Sequence, residues 1–115
     1  MIYQLAFTGR ISSKVDVSEH LQEMCETHSN EDIRGIVLYK DNTILQILEG
    51  PQAEVFEHYI QTEKDPRNFD LRIIHEGHLT IPSCKSPNII HKEVETLDYI
   101  RSVERSLRSA RMAAL

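Results

Sequence analysis

The chain has 115 residues, enough to form one compact core without disulfide or metal support. Hydrophobic residues make up 40% of it, and no apolar run approaches the roughly 18 residues of a membrane span, so the composition excludes a transmembrane protein. Eighteen acidic residues against 13 basic ones, a net charge of −5, argue against a general nucleic-acid-binding surface. Because the N-terminus shows no signal-peptide pattern and Cys25 and Cys84 are the only cysteines, we expect a cytoplasmic protein.

The first half of the chain predicts a strand, a helix and a hairpin. Apolar and polar residues alternate over 2–8 and reach Gly9, which predicts a first strand with Tyr3, Leu5 and Phe7 on one side. Apolar residues recur at helical spacing over 17–28, which predicts an amphipathic helix that ends near His28. Two β-rich stretches flank the turn 40–42 and indicate a hairpin.

The second half predicts a helix from Gly50-Pro51 to Asp65-Pro66 and a fourth strand over 71–75 that Gly77 ends. We interpret 78–88 as a loop, with a short strand near Thr80 or Ile89 as a possibility. From Glu93 onward, apolar residues step by threes and fours, which predicts a long C-terminal amphipathic helix; they are Val94, Leu97, Ile100, Val103, Leu107 and Ala110.

The predicted order βαββαβ, with a possible fifth strand, is that of an α+β ferredoxin-like sandwich with two helices on one sheet face. We therefore expect a ferredoxin-like domain over 1–92 and a helical extension over 93–115. The apolar stripe of that extension could cover the other sheet face or pack on another subunit. Its arginines, from Arg101 to Arg111, are interleaved with Glu104, which favours a solvated helix face over a phosphate-binding patch.

Gln46 is the most informative single position. Strand alternation places it on the same side as Ile44 and Leu48, inside an apolar row. Because an unpaired buried amide costs roughly 1–3 kcal/mol, either neighbouring protein groups or a polar ligand should pair with it.

The surrounding residues resemble the central hairpin of the BLUF domains, flavin-binding sensors of blue light. The resemblance covers about 1–90 and is carried by Gly35-Ile36-Val37-Leu38-Tyr39, by Ile44-Leu45-Gln46-Ile47-Leu48-Glu49-Gly50-Pro51 and by Asp65-Pro66-Arg67. It implies a flavin, usually FAD, held between the two helices above the sheet, with Gln46 at the polar edge of the ring.

The resemblance also implies a photocycle that starts from a tyrosine on the first strand, and that position falls on Phe7. A phenyl ring has no proton to donate and is much harder to oxidise than a phenol. Tyr3 lies roughly 13 Å away along the strand, too far to substitute. We therefore expect the usual photocycle to be absent.

Two further positions follow from the resemblance. The family's asparagine near the end of the first helix falls on His28 or on the nearby Asn30, and the spacing leaves both open. Arg67, with Asp65 beside it, matches a basic residue used near the ribityl chain or phosphate, although a solvated loop arginine fits equally well. The tryptophan or methionine of the family's last strand has no equivalent, so the ring pocket is remodelled or closed.

These observations lead to two hypotheses and one weak rival. The first is a sensor-type module, not an enzyme, that binds FAD but lacks the photocycle and acts through a protein partner or another copy of itself, by way of the C-terminal helix. The second is a flavin-free adaptor whose pocket is filled by side chains, Phe7 among them. The rival is an enzyme of the acylphosphatase type, for which Arg10 and Asn30 or Asn42 are available but the loop after Gly9 fits poorly. Metal binding is not expected, since His75 and His78 point to opposite strand faces.

Overall fold

The computed structural model describes residues 2–27, 32–84 and 88–113. None of the helices in these ranges is long and apolar enough to cross a membrane. The elements are, in chain order, β1 (Ile2–Ile11), α1 (Val17–Thr27), β2 (Arg34–Lys40), β3 (Thr43–Gly50), α2 (Gln52–Lys64), β4 (Asn68–Leu79), β5 (Ile89–Glu93) and α3 (Leu97–Ala113).

The five strands form one sheet in the order β4-β1-β3-β2-β5. The pairs β1–β4, β1–β3 and β2–β3 are antiparallel, and β5 lies parallel to β2. The structure thus confirms the predicted ferredoxin-like α+β sandwich and the fifth strand near Ile89.

The two faces of the sheet carry separate apolar clusters because successive strand residues point to opposite sides. Tyr3, Leu5 and Phe7 of β1 belong to the cluster that α1 and α2 cover. Ala6 belongs to the other cluster, on which Ile100 of α3 packs, with Val103 and Leu107 partly buried beside it. The C-terminal helix therefore uses its apolar stripe on its own sheet, the first of the two predicted possibilities.

β4 is longer than predicted. It runs through Gly77, which pairs with Gln4, and it follows β1 along its whole length from Asn68 to Leu79. β4 lies at the sheet edge and shifts register twice against β1, so its apolar residues do not alternate regularly. The pairing with β1, rather than the local pattern, sets its length.

α3 begins at Leu97 rather than at Glu93. Residues 89–93 form β5, and the backbone N–H of Val94 donates to the carbonyl of Tyr39 at 2.9 Å, which continues the contact with β2. The Thr96 hydroxyl then accepts the Tyr99 backbone N–H at 3.1 Å and caps the helix. Val94 was predicted to lie in the helix because it precedes Leu97 by three residues, a spacing that matches the helical pattern by chance.

A buried carboxylate fastens the segment after β4 to the sheet. Glu49 is fully buried, and its Oε1 accepts the backbone N–H groups of Ser83 and Cys84 at 2.9 and 3.0 Å. Its Oε2 accepts Gln4 Nε2 at 2.8 Å and the Ser83 hydroxyl. Burial alone would raise the pKa of Glu49, but these donors hold it below its ordinary value. The carboxylate is therefore ionised and ties residues 83 and 84 to β1 and β3.

Candidate functional site

Gln46 lies on β3, fully buried, on the sheet face that α1 and α2 cover. Ile44 and Leu48 belong to the cluster on that face, which confirms the predicted apolar row. Gln46 Nε2 donates to Nε2 of His58 on α2 at 3.1 Å. Its Oε1 is buried without a hydrogen-bond partner among the described residues. One half of the amide is thus paired by the protein, and the other half has no partner among the described residues.

Phe7 is the register partner of Gln46 on β1. Residues directly opposite on antiparallel strands have side chains about 5 Å apart, so the phenyl ring stands next to the amide. Phe7 is fully buried, and its ring meets the ring of Tyr59 on α2 edge to face, with centroids 4.9 Å apart. The side chain that lies beside Gln46 is therefore apolar and has no hydroxyl group, which a tyrosine at the same position would have.

A row of buried polar side chains extends from Gln46 under the helices. Thr62 Oγ1 donates to the His58 carbonyl at 2.9 Å, and Asn68 Nδ2 donates to the Thr62 carbonyl at 2.9 Å. The row ends where His20 Nε2, on α1, donates to Asn68 Oδ1 at 2.7 Å. His20 Nδ1 is a second buried atom without a hydrogen-bond partner in the described part of the chain. This row joins α1, α2 and the start of β4 inside an otherwise apolar layer.

Asp65 and Arg67 stand together at the exit of α2. Arg67 Nη2 donates to Asp65 Oδ2 at 2.7 Å, and Arg67 Nη1 contacts Glu23 of α1 at 3.1 Å. The hydrogen bond from Arg67 lowers the pKa of the Asp65 carboxyl. Both residues line a groove of about 510 Å³ between α1 and α2, with Met24 and Lys64 among the other lining residues.

The predicted site residues thus form two groups. Phe7 and Gln46 meet on the sheet, and Asp65 and Arg67 meet at the groove, with the polar row between them. His28 lies outside the described residues, as does Asn30, so the choice between them stays a prediction.

Three residues of this region were missed by the sequence prediction. His58 follows Val55 by three positions and precedes Tyr59 on the buried side of α2, so helical spacing could have found it. His20 and Asn68 are 48 residues apart, and no local pattern links them.

The buried polar atoms without a described partner can be compared with the chemistry of a flavin ring. A flavin ring has an apolar body and a polar edge. Gln46 Oε1 and His20 Nδ1 are buried in an apolar layer and have no hydrogen-bond partner in the ranges that the structure describes, and the groove opens between α1 and α2. The two atoms match the polar edge of such a ring in chemical character, although neither Gln46 nor His20 lines the groove. Among the described residues, no three His, Cys, Asp or Glu side chains converge where a metal ion could be held.

Comparison with known proteins gives consistent results. The family model "Sensors of blue-light using FAD" (BLUF) matches residues 2–83. A curated relative, photoactivated adenylate cyclase subunit beta of Euglena longa, is 29% identical over 66 residues. That match covers 57% of this chain and 8% of the cyclase subunit, so the chain spans only a small part of this relative.

Solved structures share the fold. The BLUF protein BlrB in its dark state superimposes with a TM-score of 0.75 at 20% identity, over 99% of this chain and 97% of BlrB. A bacterial light-regulated adenylyl cyclase gives 0.68 at 20% identity, over 99% of this chain and 35% of its own. BlrP1 of Klebsiella pneumoniae gives 0.72 at 17% identity, over 91% and 28%. The family match and the shared fold agree, and the chain belongs to the BLUF family of blue-light sensors.

Proposed function

We propose that this chain is a flavin-binding sensor-type module that lacks the tyrosine-dependent photocycle and acts through contacts with another protein. The observation that carries the proposal is the register pair Phe7 and Gln46. The amide is retained in a buried position that leaves Oε1 without a described partner, whereas its neighbour has no hydroxyl. Such a pair keeps a binding function and loses a proton-coupled electron donor.

FAD, when bound, supplies a ring that absorbs blue light and accepts an electron. Gln46 would hold the polar edge of that ring through Oε1 or, after rotation, through its amide nitrogen. His58 fixes the amide from the other side, because its Nε2 accepts the Gln46 N–H. The apolar side chains of the same layer, Phe7 and Leu48 among them, would exclude water from the ring.

Asp65 and Arg67 would act at the outer part of the ligand. Asp65 holds the guanidinium at the groove, and the contact of Arg67 with Glu23 is partly solvated, since the Glu23 side chain is 59% exposed. An anionic group of the ligand can replace such an exposed contact at small cost. Arg67 would then bind a phosphate through its planar fork.

The test is an absorption spectrum of the purified protein with and without added FAD, before and after blue illumination. We expect a bound-flavin band that does not shift to the red in light. Phe7→Tyr should restore a light-induced shift, and Phe69→Tyr is the matched control, because Phe69 is 48% exposed at the edge of the sheet. Thermal melts of both variants verify that they fold. A light-induced shift in the unaltered protein would contradict the loss of the photocycle.

The flavin-free adaptor is the second candidate. It is supported by the packing of Phe7 on Tyr59 and by the pairing of Gln46 with His58, in which protein side chains fill the space beside the amide. The same spectrum separates the two candidates, since an adaptor neither purifies with flavin nor binds added FAD.

The proposed recipient of the signal is a protein. Two relatives are named as cyclases activated or regulated by light, and both are much longer than this chain, which supports a protein-coupled sensor. This recipient is another protein or a second copy of the chain, and it binds by way of the C-terminal helix.

A further inference from the structure

A groove lined by arginines lies on the opposite side of the sheet from Gln46. It has a volume of about 710 Å³ and runs between α3 and the ends of β1 and β4. We call it the arginine groove; its basic residues are Arg10, Arg72, Arg101, Arg105 and Arg108. Asp70 and Glu104 are the acidic residues in its lining. Five guanidinium groups against two carboxylates make it strongly positive on a chain whose net charge is −5.

The fold assembles this charge from three distant parts of the chain. Arg10 is near the end of β1 and pairs in register with Phe69 of β4, over whose ring its Cζ lies at 5.8 Å from the centroid. Arg101, Arg105 and Arg108 are spaced by four and three residues, so they share one side of α3. The helix arginines were predicted to form a solvated face, and the structure sets them across a groove from two strand arginines.

The arginines keep much of their binding capacity. Arg10 and Arg105 make no ion pair within the described part of the chain. Arg72 is 3.9 Å from Asp70, and both side chains are more than half exposed. The pairs of Arg101 with Asp98 at 3.6 Å and of Arg108 with Glu104 at 3.4 Å are also partly solvated. Exposed pairs of this kind contribute little, so an anion can displace them.

We propose that the arginine groove binds a small ligand that carries a diphosphate group. A planar guanidinium group can donate two hydrogen bonds to the oxygens of one phosphate group. Several guanidinium groups in one groove therefore favour a ligand with several negative charges in a small volume. A single carboxylate would engage one arginine and leave the others unpaired. The groove falls in the range of small-molecule sites, about 300–1,000 Å³. The negative charge of the whole chain opposes a long polyanion such as nucleic acid.

The ligand could be a nucleoside diphosphate or inorganic pyrophosphate. Leu97 and Ile100 line the groove beside the arginines and provide an apolar wall for an organic part. ADP that binds more tightly than pyrophosphate would identify the organic ligand, and equal binding would identify the inorganic one. Both outcomes support the diphosphate chemistry.

The experiment is calorimetric titration of the full chain with ADP, pyrophosphate and adenosine at two salt concentrations. We expect ADP or pyrophosphate to bind, more weakly at the higher salt concentration, and adenosine not to bind. Arg10→Gln and Arg105→Gln should each weaken binding about tenfold, the loss typical of one charge-assisted hydrogen bond. Lys14→Gln is the matched control: it removes the same charge from an exposed loop position outside the groove and should leave binding unchanged.

Three results would overturn the proposal. They are no heat from ADP or pyrophosphate at millimolar concentration, equal weakening by Lys14→Gln, and tighter binding of a single-stranded oligonucleotide with the same arginine dependence. The last result would assign the groove to nucleic acid. Because the groove lies on the other face of the sheet, Arg10→Gln should not change any flavin band, so failure here and failure of the proposed function are distinguishable.

Discussion

Replacing Glu49 by Gln tests the buried carboxylate that fastens the segment after β4. Each carboxylate oxygen accepts two hydrogen bonds: Oε1 from the Ser83 and Cys84 backbone, and Oε2 from Gln4 and the Ser83 hydroxyl. An amide nitrogen at the Oε1 position leaves both backbone N–H groups without an acceptor. At the Oε2 position it loses the hydrogen bond from Gln4 but can donate to the Ser83 hydroxyl, so this orientation is favoured and one hydrogen bond is lost. A hydrogen bond to a charged group contributes about 1.5–3 kcal/mol, part of which is offset because the charge is no longer buried.

We therefore expect Glu49→Gln to lower the free energy of unfolding by about 1–3 kcal/mol. For a chain of this length about 1 kcal/mol corresponds to roughly 4 °C in melting temperature, so the melting temperature should fall by about 4–12 °C. Glu95→Gln is the matched control, since Glu95 is exposed in the loop before α3 and should change stability by less than about 0.5 kcal/mol. Urea denaturation followed by circular dichroism measures both.

The pH dependence gives an independent check on the same carboxylate. The donors around Glu49 hold its pKa in the folded protein below the ordinary value, despite the opposing effect of burial. Its contribution to stability is therefore complete above the unfolded pKa of about 4.3 and is lost as pH falls through the lower folded pKa. The stability difference between the unaltered protein and Glu49→Gln should be largest near neutral pH and shrink in acid. A difference that is absent at neutral pH, or that grows as pH falls, would refute this account.

Three further predictions concern packing and reactivity. Gly50 has φ of +155°, and an added Cβ would lie 2.5 Å from the carbonyl oxygen of Asp32. Gly50→Ala should therefore lower the free energy of unfolding, measured by urea denaturation, by about 2–4 kcal/mol. Gly77→Ala is the control and should not destabilise the protein, because the space around Gly77 is open. Burial raises the pKa of both cysteine thiols to about 11, so alkylation at pH 8, followed by mass spectrometry, should be slow until urea unfolds the chain. Val103→Asp on the sheet side of α3 should lower the melting temperature, and Tyr99→Asp, at a position 53% exposed, should leave it unchanged; equal melting temperatures would contradict the packing of α3.

The sequence was sufficient to predict the layers of the fold, because buried apolar residues recur at the regular spacing of a strand or a helix. Alternation in β1 assigned Tyr3, Leu5 and Phe7 to one face, and the hairpin of β2 and β3 followed from its turn and its β-forming residues. The length of β4 could not be read in the same way. An edge strand with two register shifts has no single buried side, so its extent depends on the partner strand rather than on its own residues.

The candidate site was predictable only in part, for a related reason. Gln46 was found because a polar residue in an apolar row breaks the local pattern. Its partner His58 lies on a helix whose other buried residues have the expected spacing, so the signal was present but weak. The contact of His20 with Asn68 and the meeting of Arg10 with the α3 arginines depend on tertiary placement, which leaves no mark in a short stretch of sequence.

The residues around Gln46 indicate whether Gln46 only stabilises the fold or also binds a ligand. Ile44 and Leu48 show what the position favours on packing grounds, and a leucine at 46 would continue that row without a polar atom to satisfy. His58 pairs with the amide nitrogen, but the buried oxygen has no described partner, a defect that costs roughly 1–3 kcal/mol. A ligand with a polar edge would remove that cost. Filling the pocket with Phe7 and Tyr59 would not, because a phenyl ring has no donor and the Tyr59 hydroxyl is hydrogen-bonded with Glu63. The unpaired oxygen therefore favours the flavin-binding proposal over the adaptor.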